Sequence, residues 1–164
     1  MGPVIHVPPG SGESLWQPVP ANGYITIGVA PDMAGGMAQM CAGLQSVDPG
    51  CFVREHVHPD NDELFFFHQG TGHVEVNGAP KQVEPGTMLY VGRGNRHRIV
   101  NGGEGVLLFL WVLAPNGLED FFRRIGRRRE PGEAPPAPFP RPDDVKRIEQ
   151  ETVFADIGPV KGAP

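Results

Sequence analysis

Cysteine is scarce in this chain: there are two, Cys41 and Cys51, in 164 residues. Two thiols are too few for a disulfide framework, and Cys51 reads as a small core residue. No apolar run approaches the roughly 20 residues that a membrane span needs. The opening MGPVIHVPPGSG has neither the charged nor the apolar region of a secretory signal. A cytoplasmic, reduced protein without a membrane partner is the expectation. Positive charge is not in excess either. The net charge of −5 gives little support to a nucleic-acid partner. No Lys-Ser/Thr pair follows Gly92-Arg93-Gly94, so there is no phosphate loop. No nucleophile triad can be assembled. The two tyrosines, Tyr24 and Tyr90, fill no fixed place of a motif, so no clear extra base is available.

Turn formers, by contrast, are abundant. The 23 glycines and 19 prolines fall between short apolar runs, which favours many strands over long helices. Val4–Val7 and Ser14–Trp16 read as edge strands, because the surrounding prolines bar them from a sheet centre. Further strands are expected at Tyr24–Val29, from about Met37 to Val47, and over Cys51–His58, Glu63–His68 and His73–Val76. The same reading continues with Lys81–Glu84, Met88–Val91, His97–Asn101 and Gly105–Leu113. Asn77-Gly78 is a strong hairpin signal. About eight to ten short strands make an antiparallel β-sandwich or small barrel. Beyond it, Leu118, Phe121, Phe122 and Ile125 recur at helical spacing, with Asn116 as cap and Gly126 as stop. That stripe is expected on the outside of the barrel. The arginines at 123, 124 and 127–129 read as a cationic helix end, which suits the helix dipole. Residues 130–142 are proline-rich and extended, and 143–151 suit a short second helix. The division is an arm over 1–20, a barrel over 21–115 and a helix and tail over 116–164.

Chemistry concentrates in Gly50–Gly70, GCFVREHVHPDNDELFFFHQG. His56 and His58 are two apart, so a strand points both the same way. A turn through Pro59–Asp62 can return Glu63 beside them, and His97 arrives on a later strand. Three imidazoles and one carboxylate form a mixed N/O site for a divalent transition metal. Four protein ligands leave one or two positions open, unlike a closed structural zinc site.

These residues carry a family resemblance. The first segment resembles the first cupin motif, with Gly50, His56, His58, Glu63 and Gly70 in every fixed place. GTMLYVGRGNRHRIVN, from Gly86 to Asn101, resembles the second, with Gly86, Gly94, His97 and Asn101 in place and Gly92 where proline is usual. The gap between the motifs is short, as in compact microbial cupins. The resemblance implies an all-β jelly-roll barrel, the double-stranded β-helix, with His56, His58, Glu63 and His97 as metal ligands. It favours Fe(II), which suits O₂ chemistry, with Mn, Ni, Co, Cu and Zn as alternatives. Together with an open sheet edge and proline-rich arms, it suggests a homodimer.

Strand parity nominates a pocket. Arg54 shares the face of His56 and His58, Phe65 and Phe67 that of Glu63, and Ile99 that of His97. Phe109 and Trp111 join from the run after Val106. The strand before the turn offers Met40 with Ala42 and Leu44, or alternatively Gln39 and Cys41. Arg54 either holds a substrate carboxylate or enolate, or pairs with Asp60 or Asp62 at the rim. The chain is similar to small single-domain quercetinase-like cupins, including its segment GLEDFFRRIG. That similarity implies a dioxygenase acting on a small enol, aromatic or diketone-type substrate, with Glu63 as general base. The alternatives are an O₂-independent lyase or isomerase and a non-catalytic binding protein.

Overall fold

The computed structural model describes residues 1–36 and 39–158. Within them the chain forms eleven strands, and apolar residues alternate along the long central ones. β1 is Glu13–Trp16, β2 Tyr24–Val29, β3 Cys41–Val47, β4 Phe52–His56, β5 Asp62–Gln69 and β6 Gly72–Val76. β7 is Ala79–Val83, β8 Met88–Val91, β9 His97–Asn101 and β10 Leu107–Ala114. After helix α1, Leu118–Ile125, come the short β11, Arg127–Arg128, and helix α2, Val145–Gln150. Strands β11-β1-β2-β3-β10-β5-β8 make one antiparallel sheet and β4-β9-β6-β7 another. This is the antiparallel two-sheet sandwich expected from the strand count, in the jelly-roll form that the cupin resemblance implies.

The core lies between the sheets. Phe65, Phe67, Ile99, Leu107, Phe109, Trp111 and Leu113 are each at most 1% exposed. Odd-numbered residues from Glu63 to Phe67 in β5 and throughout β10 point inward, and their even-numbered neighbours face out. Gly43 stands opposite Trp111 in the ladder, and a Cβ there would lie 2.7 Å from the indole and 2.1 Å from the Thr26 carbonyl. Glycine at this point is what lets Trp111 fill the barrel. Asn101, 1% exposed, ties the loop after β9 to the body. Its amide donates to the Val47 and Gly105 carbonyls, and its carbonyl accepts from the Gly103 N–H.

Several expectations are corrected. Val4–Val7 forms no strand. β3 begins at Cys41, and the start placed at Met37 lies outside the described residues. Arg127 and Arg128 leave the helix and pair with Trp16 and Leu15, so β1 is flanked on both sides. Arg127 stacks on Phe139, and Arg129 lies over the Tyr24 ring at 4.2 Å. Asn116 does not cap α1. Instead Glu119 turns back, accepting from the Gly117 N–H at 2.7 Å and the Asn116 amide at 3.3 Å. The α1 stripe does not lie on the outer wall. Phe122 meets the inward-facing Trp111 with ring centres 5.4 Å apart, so the helix closes the barrel's open end. Among the described residues no helix is long and apolar enough to cross a membrane.

Candidate metal centre

His56 ends β4 and pairs directly with His97, which opens β9; the register slips between Val53 and His56. That irregularity brings the two rings together, tilted by 59° with centres 4.0 Å apart. His58 lies just beyond the strand, where its carbonyl accepts from the Gly94 N–H at 2.8 Å. Asn61 fixes the following turn by donating to the Pro115 carbonyl. The turn delivers Glu63, the second residue of β5, into the barrel. Gly92 serves where proline was usual, because the Asn95 amide closes that turn onto the Gly92 carbonyl. One donor atom from each of His56, His58, Glu63 and His97 lies within 4.8 Å of all the others.

Each imidazole is held from behind. His56 Nδ1 donates to the Arg54 carbonyl at 2.7 Å, His58 Nδ1 to the Val153 carbonyl at 2.9 Å and His97 Nδ1 to the Asn95 carbonyl at 3.1 Å. A carbonyl only accepts, so the proton sits on Nδ1 and the Nε2 lone pair faces the centre. Such backing orients metal-binding histidines and raises their basicity. His58 Nε2 is buried without a hydrogen-bond partner. It lies 3.4 Å from Glu63 Oε2, and His97 Nε2 lies 2.9 Å from the same oxygen. Three acceptors this close repel unless a cation stands among them. Donors sharing one ion at the ~2.1 Å zinc–nitrogen distance stand roughly 3–4 Å apart, so the separations fit a bound metal.

The electrostatics agree. Burial, then the neighbouring His97 and His58 rings, push His56 well below the ordinary imidazole range, which keeps it neutral. Burial resists charge on Glu63, but the His58 and His97 rings outweigh it and hold the carboxyl far below the usual carboxylate range. Burial works against charge on His58 too, and the Glu63 carboxylate reverses that and raises it. In the absence of a metal a proton shared between these groups takes the cation's place.

A cavity of about 70 Å³ adjoins the cluster, lined by Arg54, Phe65, Ile99, Phe121 and Phe154 among others, with His56 and Glu63 at its inner end. Arg54, Phe65 and Ile99 therefore stand where parity placed them. Phe67, Phe109 and Trp111 face inward but pack the core instead, with Phe67 and Phe109 rings 5.1 Å apart. Met40 is the clear correction: it is 46% exposed and precedes β3. The inner face of that strand carries Cys41, Gly43 and Gln45, so the alternative parity holds for Cys41, while Gln39 is exposed. Arg54 pairs with neither Asp60 nor Asp62 but with Glu149, and Asp62 binds Arg93.

Four residues near the site carried no motif. Arg141 and Glu149 line the cavity, the Val153 carbonyl backs His58, and the Phe154 ring lies 4.9 Å from His58 and 5.4 Å from His56. All belong to the stretch beyond the barrel, which folds back over it. The Ala155 N–H seals this return on the Val57 carbonyl. Alternation and helical period say nothing about such a return.

Residues 43–113 match the cupin domain family. The chain is 33% identical over 94 residues to the tetracenomycin polyketide synthase protein TcmJ of Streptomyces glaucescens. That match covers 57% of each chain, so this protein spans just over half the length of that relative. Among solved structures, a predicted oxalate decarboxylase from Thermotoga maritima superposes with TM-score 0.55 at 21% identity, over 69% of this chain and 99% of that one. A cupin-superfamily sugar phosphate isomerase from Silicibacter pomeroyi gives TM-score 0.55 at 22% identity, over 66% and 74%. At these identities the structures establish the fold. The barrel segment of this chain matches the cupin domain, and its His₃Glu cluster is consistent with a single divalent metal ion.

Proposed function

We propose that this cupin is a metal-dependent enzyme that cleaves a small, enolisable, oxygen-rich substrate with O₂. One observation carries the reading: four donors, three of them buried and three of them imidazoles backed by carbonyls, converge beside a largely apolar cavity that His56 and Glu63 line. His56, His58, His97 and Glu63 would hold the ion. A bound divalent metal, Fe(II) by preference, would supply Lewis acidity and electrons for oxygen chemistry. The chain's own groups do the rest. Glu63 Oε2 faces two imidazoles, which leaves Oε1 to accept the substrate's enol proton. Phe65, Ile99, Phe121 and Phe154 keep bulk water away.

A second reading, an O₂-independent lyase or isomerase, is favoured by the Streptomyces relative. Polyketide synthesis handles poly-β-ketones, whose proton transfers consume no oxidant. One experiment separates the two. Protein of measured metal content is given pentane-2,4-dione or a flavonol, in air and under argon. Oxygen uptake matched to substrate loss supports cleavage. Turnover that persists under argon overturns it in favour of the second reading. No turnover under any loading overturns both.

The working unit is proposed to be a homodimer. On the outer face of the larger sheet, Leu44, Leu110, Phe66 and Met88 stand in register across four strands. Leu64 and Tyr90 extend the patch, and Met88 and Tyr90 are mostly exposed. A contiguous apolar face of this kind marks an interaction surface, and a second copy covers it symmetrically. Both cysteines are free, which suits a cytoplasmic location.

A further inference from the structure

Two guanidiniums meet one carboxylate at the wall of the cavity. Arg54, on β4, and Arg141, ahead of α2, each donate from Nη2 to the same oxygen, Glu149 Oε1. All three line the cavity with His56, and their exposures are 27%, 16% and 21%. The charge does not balance. Glu149 offsets one arginine, while Glu63, the cavity's other carboxylate, faces His58 and His97. One cation is left over in a wall built largely of phenylalanine, isoleucine and leucine. Burial works against charge on Arg141 and Arg54 repels it, so it sits below the ordinary arginine value despite its bond to Glu149. The geometry is also unsaturated. Guanidinium forks favour both oxygens of a carboxylate, yet both forks here use one oxygen.

We propose that Arg54 and Arg141 form a binding site for a carboxylate on the substrate, and that Glu149 is an internal occupant which that carboxylate displaces. This deepens the reading above by giving the substrate an anionic end. The cavity of about 70 Å³ has room for about two waters. Withdrawal of the Glu149 side chain from it provides both space and cations. A carboxylate seated on the arginines then directs the rest of an aromatic or enolic acid along the apolar wall toward His56.

The test uses the full chain loaded with zinc, with benzoate as probe and benzamide as its neutral isostere. Calorimetric titration of Glu149→Gln should show benzoate binding about tenfold tighter than in the wild type, because the internal competitor is gone. Adding Arg141→Met should abolish that gain. Benzamide should bind all forms alike. If Glu149→Gln does not fold, Glu149→Asp draws the competitor back by one methylene and should show a smaller gain of the same sign. Equal benzoate affinity in the wild type and the folded Glu149 variant overturns the proposal. So does a gain that survives loss of Arg141, or an equal gain for benzamide. Zinc content is measured on the same samples. Full zinc with no carboxylate effect overturns this inference alone, whereas a carboxylate effect without zinc uptake supports it and overturns the metal-dependent reading.

Discussion

At the scale of single residues, the proposed function makes Glu63 the group on which metal retention and proton transfer both depend. Glu63→Ala is expected to lower turnover at least a hundredfold at matched metal loading, while the melting temperature changes much less. Steady-state assay beside differential scanning fluorimetry checks this, and full turnover would remove Glu63 from the chemistry. Cys41 offers a second test. Burial, then the Glu119 carboxylate beside it, push its thiol from the ordinary 9.0 up to about 12. The folded thiol holds its proton more tightly than the unfolded one. The stability this contributes is therefore complete below pH 9 and is lost as pH rises toward 12. Denaturant midpoints should fall over that window, and Cys41→Ser should flatten the fall. At pH 8.5, iodoacetamide should modify the half-buried Cys51 and spare Cys41, as mass spectrometry would show.

At the scale of elements, the site is a barrel completed by a strap. Ending the chain at Asp143 removes α2, the Val153 carbonyl and the Phe154 ring. Zinc affinity is expected to fall 10- to 100-fold, the usual cost of losing a group that backs a ligand. Competitive titration with a chromophoric chelator measures it. Full affinity would mean that Val153 does not orient His58. The barrel and the cluster of four candidate ligands were legible in the sequence because strands alternate and the two histidine-bearing segments keep fixed spacing. Met40 was misplaced for a related reason. Parity gives two faces but not which one is inside, and the strand begins only at Cys41, one residue beyond Met40. Arg54 was assigned to the cavity, but its partner was not foreseen. Glu149 lies 95 positions away, and no periodic signal links residues brought together by a chain return.

At the scale of the whole molecule, the proposed homodimer rests on the outer face of the larger sheet. Light scattering is expected to give twice the chain mass, and Leu110→Lys to give a monomer with unchanged metal content. A wild-type monomer would leave the Leu44–Met88 row without its proposed cover. The strap also sets an order of events during synthesis. His56, His58, Glu63 and His97 all leave the ribosome before Val153, which follows His58 by 95 residues. The nascent barrel can therefore gather its ligands while His58 still lacks the carbonyl that orients it. Under the proposed metal-dependent reading, tight metal capture would wait until translation has passed the strap, and an ion that enters earlier would be held more loosely and exchange more readily.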